Sequence, residues 1–214
     1  MKKVIKINNP IAVDKINLNA KTKAIPANLE KIFNNNFVFI SVGRLDYRKN
    51  YESLIKAFKA VNELHPNSRL VILGEGNYRD VLEELLVELE IVDLVSLTGF
   101  IDSPESIVSH ADFFVSSSLY EGVSNSLLES LALGVPVIAT DCPSGIGEIV
   151  TNGENGYLVS MKGDIVKNLS ERMSFVIKDN RKLDPKRINK KIREDFDSKV
   201  VIKEYEDILN QLLN

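Results

Sequence analysis

The sequence predicts an α/β protein: a doubly wound parallel sheet of about six strands with helices on both faces. Three observations predict it. Short apolar segments rich in β-branched and aromatic residues recur through residues 37–159, bounded mostly by Gly, Pro, Asp or Asn. Helical patterns fill the intervals between them. Several segments are apolar on both faces, as strands of a buried parallel sheet are. Such alternation gives a sheet covered on both sides by its own crossover helices.

In chain order the strand segments are FVFISVG (37–43), RLVILG (69–74), LVSLTG (94–99), DFFVSSS (112–118), PVIAT (136–140) and GYLV (156–159). Helical stretches lie at 50–65, 77–90, near 103–110, 124–133 and 144–150. Residues 37–180 therefore read as one Rossmann-like domain. Residues 1–36 read as an entry strand and connector. VIKINNPIAV (4–13) is the strand, ended by Asn8, Asn9 and Pro10, and a polar Asn/Lys-rich stretch follows with a short helix at 27–34. Helical patterns at 163–179 and 197–213 flank a charged linking segment at 180–196, so 181–214 is a C-terminal helical extension. The basic cluster Lys186, Arg187, Lys190, Lys191 and Arg193 is interrupted by Glu194 and Asp195, as a solvated helix face is.

Composition bounds the function. The 214 residues suffice for a real core, and 44% hydrophobic with 27% charged residues is the balance of a soluble globular chain. A net charge of −3 offers no bulk attraction to nucleic acid or an anionic membrane, so any anion site must be local. Cys142 is the single cysteine, and His65 and His110 lie far apart, which argues against a disulfide or a Cys/His metal site. No apolar run approaches the roughly 18 residues of a membrane span. The start MKKVIKINN lacks the apolar core of a secretory signal. A cytoplasmic location is expected, with membrane contact at most peripheral.

Doubly wound sheets bind ligands at the carboxyl ends of their strands, where strand order reverses. With the order 3-2-1-4-5-6, that crevice separates strand one from strand four. The loops GRLDYRKN (43–50) and SLYEGVSN (118–125) then converge. The first offers Gly43, Arg44 and Lys49: a guanidinium fork and a compact ammonium, both suited to phosphate. Their bland alternative is surface pairing with Asp46 and Glu52. In the second, Gly122 permits a tight turn, and Ser124, Asn125 and Ser126 sit at a helix start, where free N–H groups favour anions. Glu121 and Glu129 bracket EGVSNSLLE, with Glu129 within the first two helical turns.

Gly99, Phe100 and Ile101 end the third strand, either as an apolar, backbone-lined slot for a nucleobase or as core packing. Gly74 and Gly76 in LGEGNYRD follow the second strand rather than the first, and Arg79 occupies the third glycine position of a dinucleotide fingerprint. A tight turn with close backbone approach explains them better than a nicotinamide cofactor does. Cys142 lacks a neighbouring base and reads as a small buried residue, and His110 as structural. Tyr47 and Tyr120 flank the crevice.

SVGRLDYRKN, LVILGEG, LTGFI, SSLYEGVSNSLLESLALGVPVIATD and GEIVTNGENGYLV, in that order, resemble the nucleotide-sugar-binding C-terminal half of retaining GT-B glycosyltransferases of family 4, also called group 1. The resemblance runs over essentially the whole chain. It implies that Arg44 and Lys49 bind the donor diphosphate and stabilise the leaving group. Glu129 would accept from the ribose hydroxyls, and Glu121 would lie by the donor sugar and its reacting carbon. Ser124, Asn125 and Ser126, with Gly122, would meet phosphate and sugar; Gly99, Phe100 and Ile101 would surround the base; Gly43 would allow close approach. The implied catalytic groups are Glu121, Arg44 and Lys49.

The implied reaction is metal-independent transfer of a hexose from a UDP- or GDP-linked sugar to a glycan or lipid-linked acceptor, with no cofactor beyond that donor. Fixed cations and N–H dipoles aimed at the departing diphosphate suit this chemistry. The departure is length: enzymes of this fold carry an N-terminal acceptor domain, and no second set of α/β units is present here. The chain is therefore expected to be a donor-binding half, inactive alone. The competing expectation is a non-catalytic nucleotide-binding or interaction module that keeps the fold. A further departure is TDCPSGIGEI, where similar proteins place Pro after Ser-Gly, so the helix entry at Ile146 is expected to differ.

Overall fold

The computed structural model describes residues 5–143, 145–179 and 183–213. Six parallel strands form one sheet: β1 (Phe37–Val42), β2 (Ser68–Leu73), β3 (Val95–Leu97), β4 (Phe113–Ser116), β5 (Val137–Thr140) and β6 (Gly156–Val159). Their order is β3-β2-β1-β4-β5-β6, so the order reverses between β1 and β4 as expected. β1 aligns with β2 from Phe37 opposite Ser68 to Val42 opposite Leu73, and with β4 through Phe39 opposite Phe113.

Strand alternation divides the core into two layers. Val38, Ile40, Val71, Leu73, Phe114, Val137 and Ala139 point to one face. They pack there beneath α1 (Val13–Thr22), α5 (Glu105–Val108), α6 (Asn125–Ala132) and α9 (Pro185–Phe196). Phe39, Leu70, Ile72, Val115 and Ile138 point to the other, beneath α3 (Tyr51–Leu64), α4 (Arg79–Glu88) and α8 (Ile165–Lys178). A period of two puts successive side chains on opposite faces, so both must be apolar when both are covered. On α3 the residues Leu54, Ile55, Phe58 and Val61 recur at helical spacing and are fully buried. α8 begins at Asp164, whose carboxylate accepts from the N–H groups of Val166 and Lys167.

The flanks depart from expectation. No strand occupies described residues 5–13. Ile11 alone bridges to Asp197, its N–H donating to Phe196 and its carbonyl accepting from Ser198. The chain then enters α1, which buries Val13 and Ile16. Two apolar positions at helical spacing suffice there, because α1 lies against α5 and α6 and Asn17 donates to the Ala132 carbonyl. The short helix at 27–34 is α2 (Ala27–Glu30) followed by a 3-10 turn at Lys31–Phe33; α7 (Ile146–Ile149) is the helix entered at Ile146.

The linking segment at 180–196 is also corrected: from Pro185 it is α9. Asp184 caps it through the Lys186 N–H, proline occupies its first turn, and Ile188, Ile192 and Phe196 form a buried stripe. A single apolar stripe among charged residues reads as a linker until something covers it. Its basic residues lie outward, with Arg187 and Lys191 near Glu154 and Lys190 near Glu194. A final helix, α10 (Ser198–Leu213), follows directly. No helix among the described residues is long and apolar enough to cross a membrane.

Asp14 ties these flanks together. Its carboxylate accepts from Lys199 Nζ (2.7 Å) and Arg193 Nη1 (2.6 Å), whose hydrogen bonds and charges lower its pKa from 3.8 to about 2. A depressed carboxylate contributes stability above its unfolded pKa and loses it as pH falls through the folded one. Wild type is therefore expected to lose stability relative to Asp14→Asn between about pH 4 and pH 2, as followed by urea unfolding across that range. Parallel pH profiles for the two proteins contradict this.

Candidate functional site

The two loops expected to converge do so through named bonds. Leu119 N–H donates to the Arg48 carbonyl (2.8 Å), and Ser117 Oγ to the Lys49 carbonyl (2.7 Å). The β1 loop is itself shaped by Asp46, whose carboxylate caps the 3-10 turn Tyr47–Lys49 through the Arg48 N–H. Asn50 then takes the left-handed conformation (φ 51°) and α3 begins. This sharp turn aims Lys49 back over Gly43: a Cβ at Gly43 would lie 2.9 Å from Lys49 Cε.

Lys49 and Glu121 meet directly. Lys49 Nζ lies 2.5 Å from Glu121 Oε1, which also accepts from Ser118 Oγ at 2.7 Å. The side chains are 20% and 14% exposed, so the pair is largely withdrawn from water. The surface-pairing reading of Lys49 named the wrong partner: the carboxylate it meets is Glu121, not Glu52. Asp46 is taken by Arg48 (2.7 Å) rather than by Arg44. Arg44 is exposed and carries no ion pair among the described residues.

Beside Gly43 lies an open cavity of about 360 Å³ lined by Val42, Gly43, Arg44, Leu73, Gly74, Glu75, Phe100 and Ile101. The segment divides: Phe100 is 76% exposed and not core, whereas Gly99 is buried and Ile101 is half-buried and packs against the core. Gly99 has a positive φ (83°) and its carbonyl accepts from Gly74 N–H, so the two turns that frame the cavity are stitched together. Gly76 presses on Leu45, where a Cβ would lie 2.7 Å from the Leu45 carbonyl carbon. Close approach, not a dinucleotide turn, accounts for both glycines after β2.

On the far side, Ser124 precedes α6 in extended conformation without capping it, and its buried Oγ has no partner among the described residues. The first N–H groups of α6 thus receive no cap from Ser124. Asn125 is exposed and its side chain accepts from Asn9 Nδ2 (3.4 Å); Ser126 is half-buried. Gly122 needs correction. Its φ is not positive and a Cβ there would meet nothing within 4 Å, so no tight turn requires it; it simply leaves the loop surface open.

Glu129 is half-buried on α6, and burial first, then the charge of Glu105, pushes its pKa up. A raised carboxylate stabilises the fold below its unfolded pKa, and that contribution is lost as pH rises through the folded value. The ionised form of Glu129 is thus disfavoured in the fold. Glu129→Gln is expected to raise Tm at pH 7 by about 1–2 °C while giving no rise below pH 4. A fall in Tm at pH 7 would mean that Glu129 is held by stabilising bonds instead.

Ser117, Ser118 and Thr140 escaped the sequence reading. Thr140 Oγ1 donates to the Ser118 carbonyl (2.5 Å), fixing the residue that holds Glu121. Their signal was the run Ser116–Ser118 at a strand end, which reads as ordinary strand. Cys142 is buried, and His110 Nδ1 sits 2.8 Å from the Ser106 carbonyl beneath Phe33, a structural placement. Tyr47 packs on Tyr78 at the surface. One Asp-x-Asp triplet does occur, Asp195-Phe196-Asp197, but it lies at the α9–α10 junction, where buried Asp197 caps α10 through Lys199 N–H. Among the described residues no three His, Cys, Asp or Glu side chains group as a metal site.

This six-strand parallel sheet flanked by helices matches the fold of solved GT-B glycosyltransferase structures. HepE of Anabaena, in a crystal structure with UDP, matches 96% of this chain and 57% of its own, with TM-score 0.81 at 21% identity. A glycosyltransferase of Rickettsia africae matches 99% and 58%, with TM-score 0.81 at 16% identity. Residues 26–195 match the profile of glycosyl transferases group 1, and the chain belongs to that family. An uncharacterized glycosyltransferase of Methanocaldococcus jannaschii is 38% identical over 144 residues, covering 67% of this chain and 35% of that protein. A Campylobacter jejuni N-acetylgalactosamine-N,N'-diacetylbacillosaminyl-diphospho-undecaprenol 4-alpha-N-acetylgalactosaminyltransferase is 40% identical over 136 residues, covering 64% and 36%. The chain thus spans about a third of the length of these two relatives.

Proposed function

We propose that this chain is the donor-binding half of a retaining glycosyltransferase. Such an enzyme moves a hexose from a UDP- or GDP-linked sugar to a glycan or lipid-linked acceptor, without a metal ion. The observation that carries the reading is the cleft itself. An apolar slot, two cations and an uncapped helix start lie in sequence along the carboxyl edge of the sheet at its switch point. A base fits the slot between Phe100, Ile101 and the Gly43–Arg44 backbone. The diphosphate then falls near Arg44, Lys49 and the α6 N-terminus, where cations and N–H dipoles stabilise the leaving group as the glycosyl bond breaks. Glu129 is assigned to the ribose hydroxyls and Glu121 to the sugar.

The acceptor side of the cleft is assigned to a further domain, and without it donor is gripped from one side only and transfer is absent. The named relatives support a surface-glycan setting. They include a colanic acid biosynthesis glycosyltransferase of Escherichia coli and a capsular polysaccharide one of Staphylococcus aureus. We place the reaction in the cytoplasm, with peripheral membrane contact at most.

Thermal unfolding with UDP, GDP or ADP at millimolar concentration tests this. A ligand at ten times its Kd is expected to raise Tm by roughly 3 °C, and Arg44→Ala to abolish the shift. No shift with any of the three nucleotides rejects the reading.

A further inference from the structure

We propose that the Lys49–Glu121 pair is a specificity device that makes the site prefer a nucleotide still carrying its sugar over the bare nucleoside diphosphate. The inference rests on the donor-binding reading above and adds to it a penalty against the sugarless ligand.

Both members of the pair are committed to each other. Glu121 Oε1 receives Lys49 Nζ at 2.5 Å and Ser118 Oγ at 2.7 Å, in a setting that leaves only 14% of the Glu121 side chain exposed. The backbones that carry the pair are held in place. Lys49 is anchored through its carbonyl by Ser117 Oγ, Arg48 by Leu119 N–H, and Ser118 by Thr140 Oγ1. Lys49 also crosses Gly43, which lines the apolar slot, so a diphosphate attached to a base in that slot arrives beside this ammonium.

A bare diphosphate then meets two unfavourable choices. It draws Lys49 from Glu121, stranding a carboxylate largely out of water, or it shares Lys49 and lies beside a like charge. Sugar hydroxyls between phosphate and Glu121 change the sign. They donate to the carboxylate, replacing the bond that Lys49 gives up. Glu121 therefore opposes the diphosphate and welcomes the sugar. After transfer the ligand left behind is the bare diphosphate, and re-forming the pair favours its release.

Calorimetric titration of the full chain with UDP, UDP-glucose, GDP and GDP-mannose tests this. Wild type is expected to bind the nucleotide sugar about tenfold more tightly than the matching diphosphate. Glu121→Gln is expected to bind the diphosphate about tenfold more tightly than wild type, erasing that preference. A simple sugar contact by Glu121 would instead leave diphosphate affinity unchanged in the variant. That result, or a fall, overturns the inference. Equal wild-type affinities for diphosphate and nucleotide sugar overturn it too, whether or not the variant folds. Wild type that binds none of the four ligands removes the donor-binding reading as well, which separates the two failures.

Discussion

Gly74→Ala is expected to destabilise the protein by about 3 kcal/mol or more, the largest loss of any single methyl addition in the cleft. Gly74 has φ +149°, a region that L side chains rarely adopt. Its added Cβ would overlap the Gly43 carbonyl oxygen and lie 2.9 Å from the Gly43 carbonyl carbon. The obstacle is backbone, so no rotamer change relieves it. Gly74 N–H also donates to the Gly99 carbonyl and Gly43 N–H to the Leu73 carbonyl, which pins both sides of the contact. Relief requires the β1 loop to move, carrying Arg44 and the floor beneath Lys49 with it. Nucleotide affinity should therefore fall together with stability. Gly153→Ala is the matched control: its φ is +77° but nothing lies within 4 Å, so its cost is conformational alone, about 1 kcal/mol. Urea unfolding of both variants checks the comparison. A Gly74→Ala loss no greater than that of Gly153→Ala would show that the loop yields freely.

Lys49→Met is expected to lower both stability and nucleotide affinity, by separable routes. Removing the ammonium leaves Glu121 with Ser118 Oγ as its remaining hydrogen-bond donor in a half-closed cleft. Breaking a fully buried pair costs about 3–5 kcal/mol. Here the partial exposure of both side chains reduces the expected loss to about 1–2 kcal/mol. Loss of a charged contact to the diphosphate lowers affinity by about 10- to 100-fold. The double variant Lys49→Met/Glu121→Gln separates the effects. It should regain most of the stability, since no charge is stranded, yet still bind diphosphate more weakly than Glu121→Gln alone. Equal diphosphate affinity in Glu121→Gln and the double variant would show that Lys49 serves structure only.

The sheet was legible because parallel strands buried on both faces have little choice of composition. FVFISVG and RLVILG are apolar at nearly every position, and Gly or Pro closes most segments. The strand order is the common one of doubly wound sheets, and that order is enough to bring the 43–50 and 118–125 loops together. The basic cluster of α9 was legible as a solvated helix face, but its buried stripe (Ile188, Ile192, Phe196) was not, because a single apolar stripe among charged residues looks like a linker until a core lies against it. The entry strand failed for a related reason: an apolar run can lie extended, but a ladder needs a neighbouring edge, and only Ile11 found one.

Within the site, residue types were readable and pairings were not. The sequence by itself determined the α/β architecture, the switch-point crevice and the meeting of the 43–50 and 118–125 loops there. Periodicity and loop composition are local properties, and they suffice for that. Only the tertiary structure decided that Lys49 is held by Glu121, that Ser118 and Thr140 fix that carboxylate, and that Phe100 faces solvent over a slot rather than joining the core. Lys49 and Glu121 are 72 positions apart. Which of several nearby charges an ammonium chooses depends on distances of a few ångströms, and those are set by how two loops from different strands settle against each other.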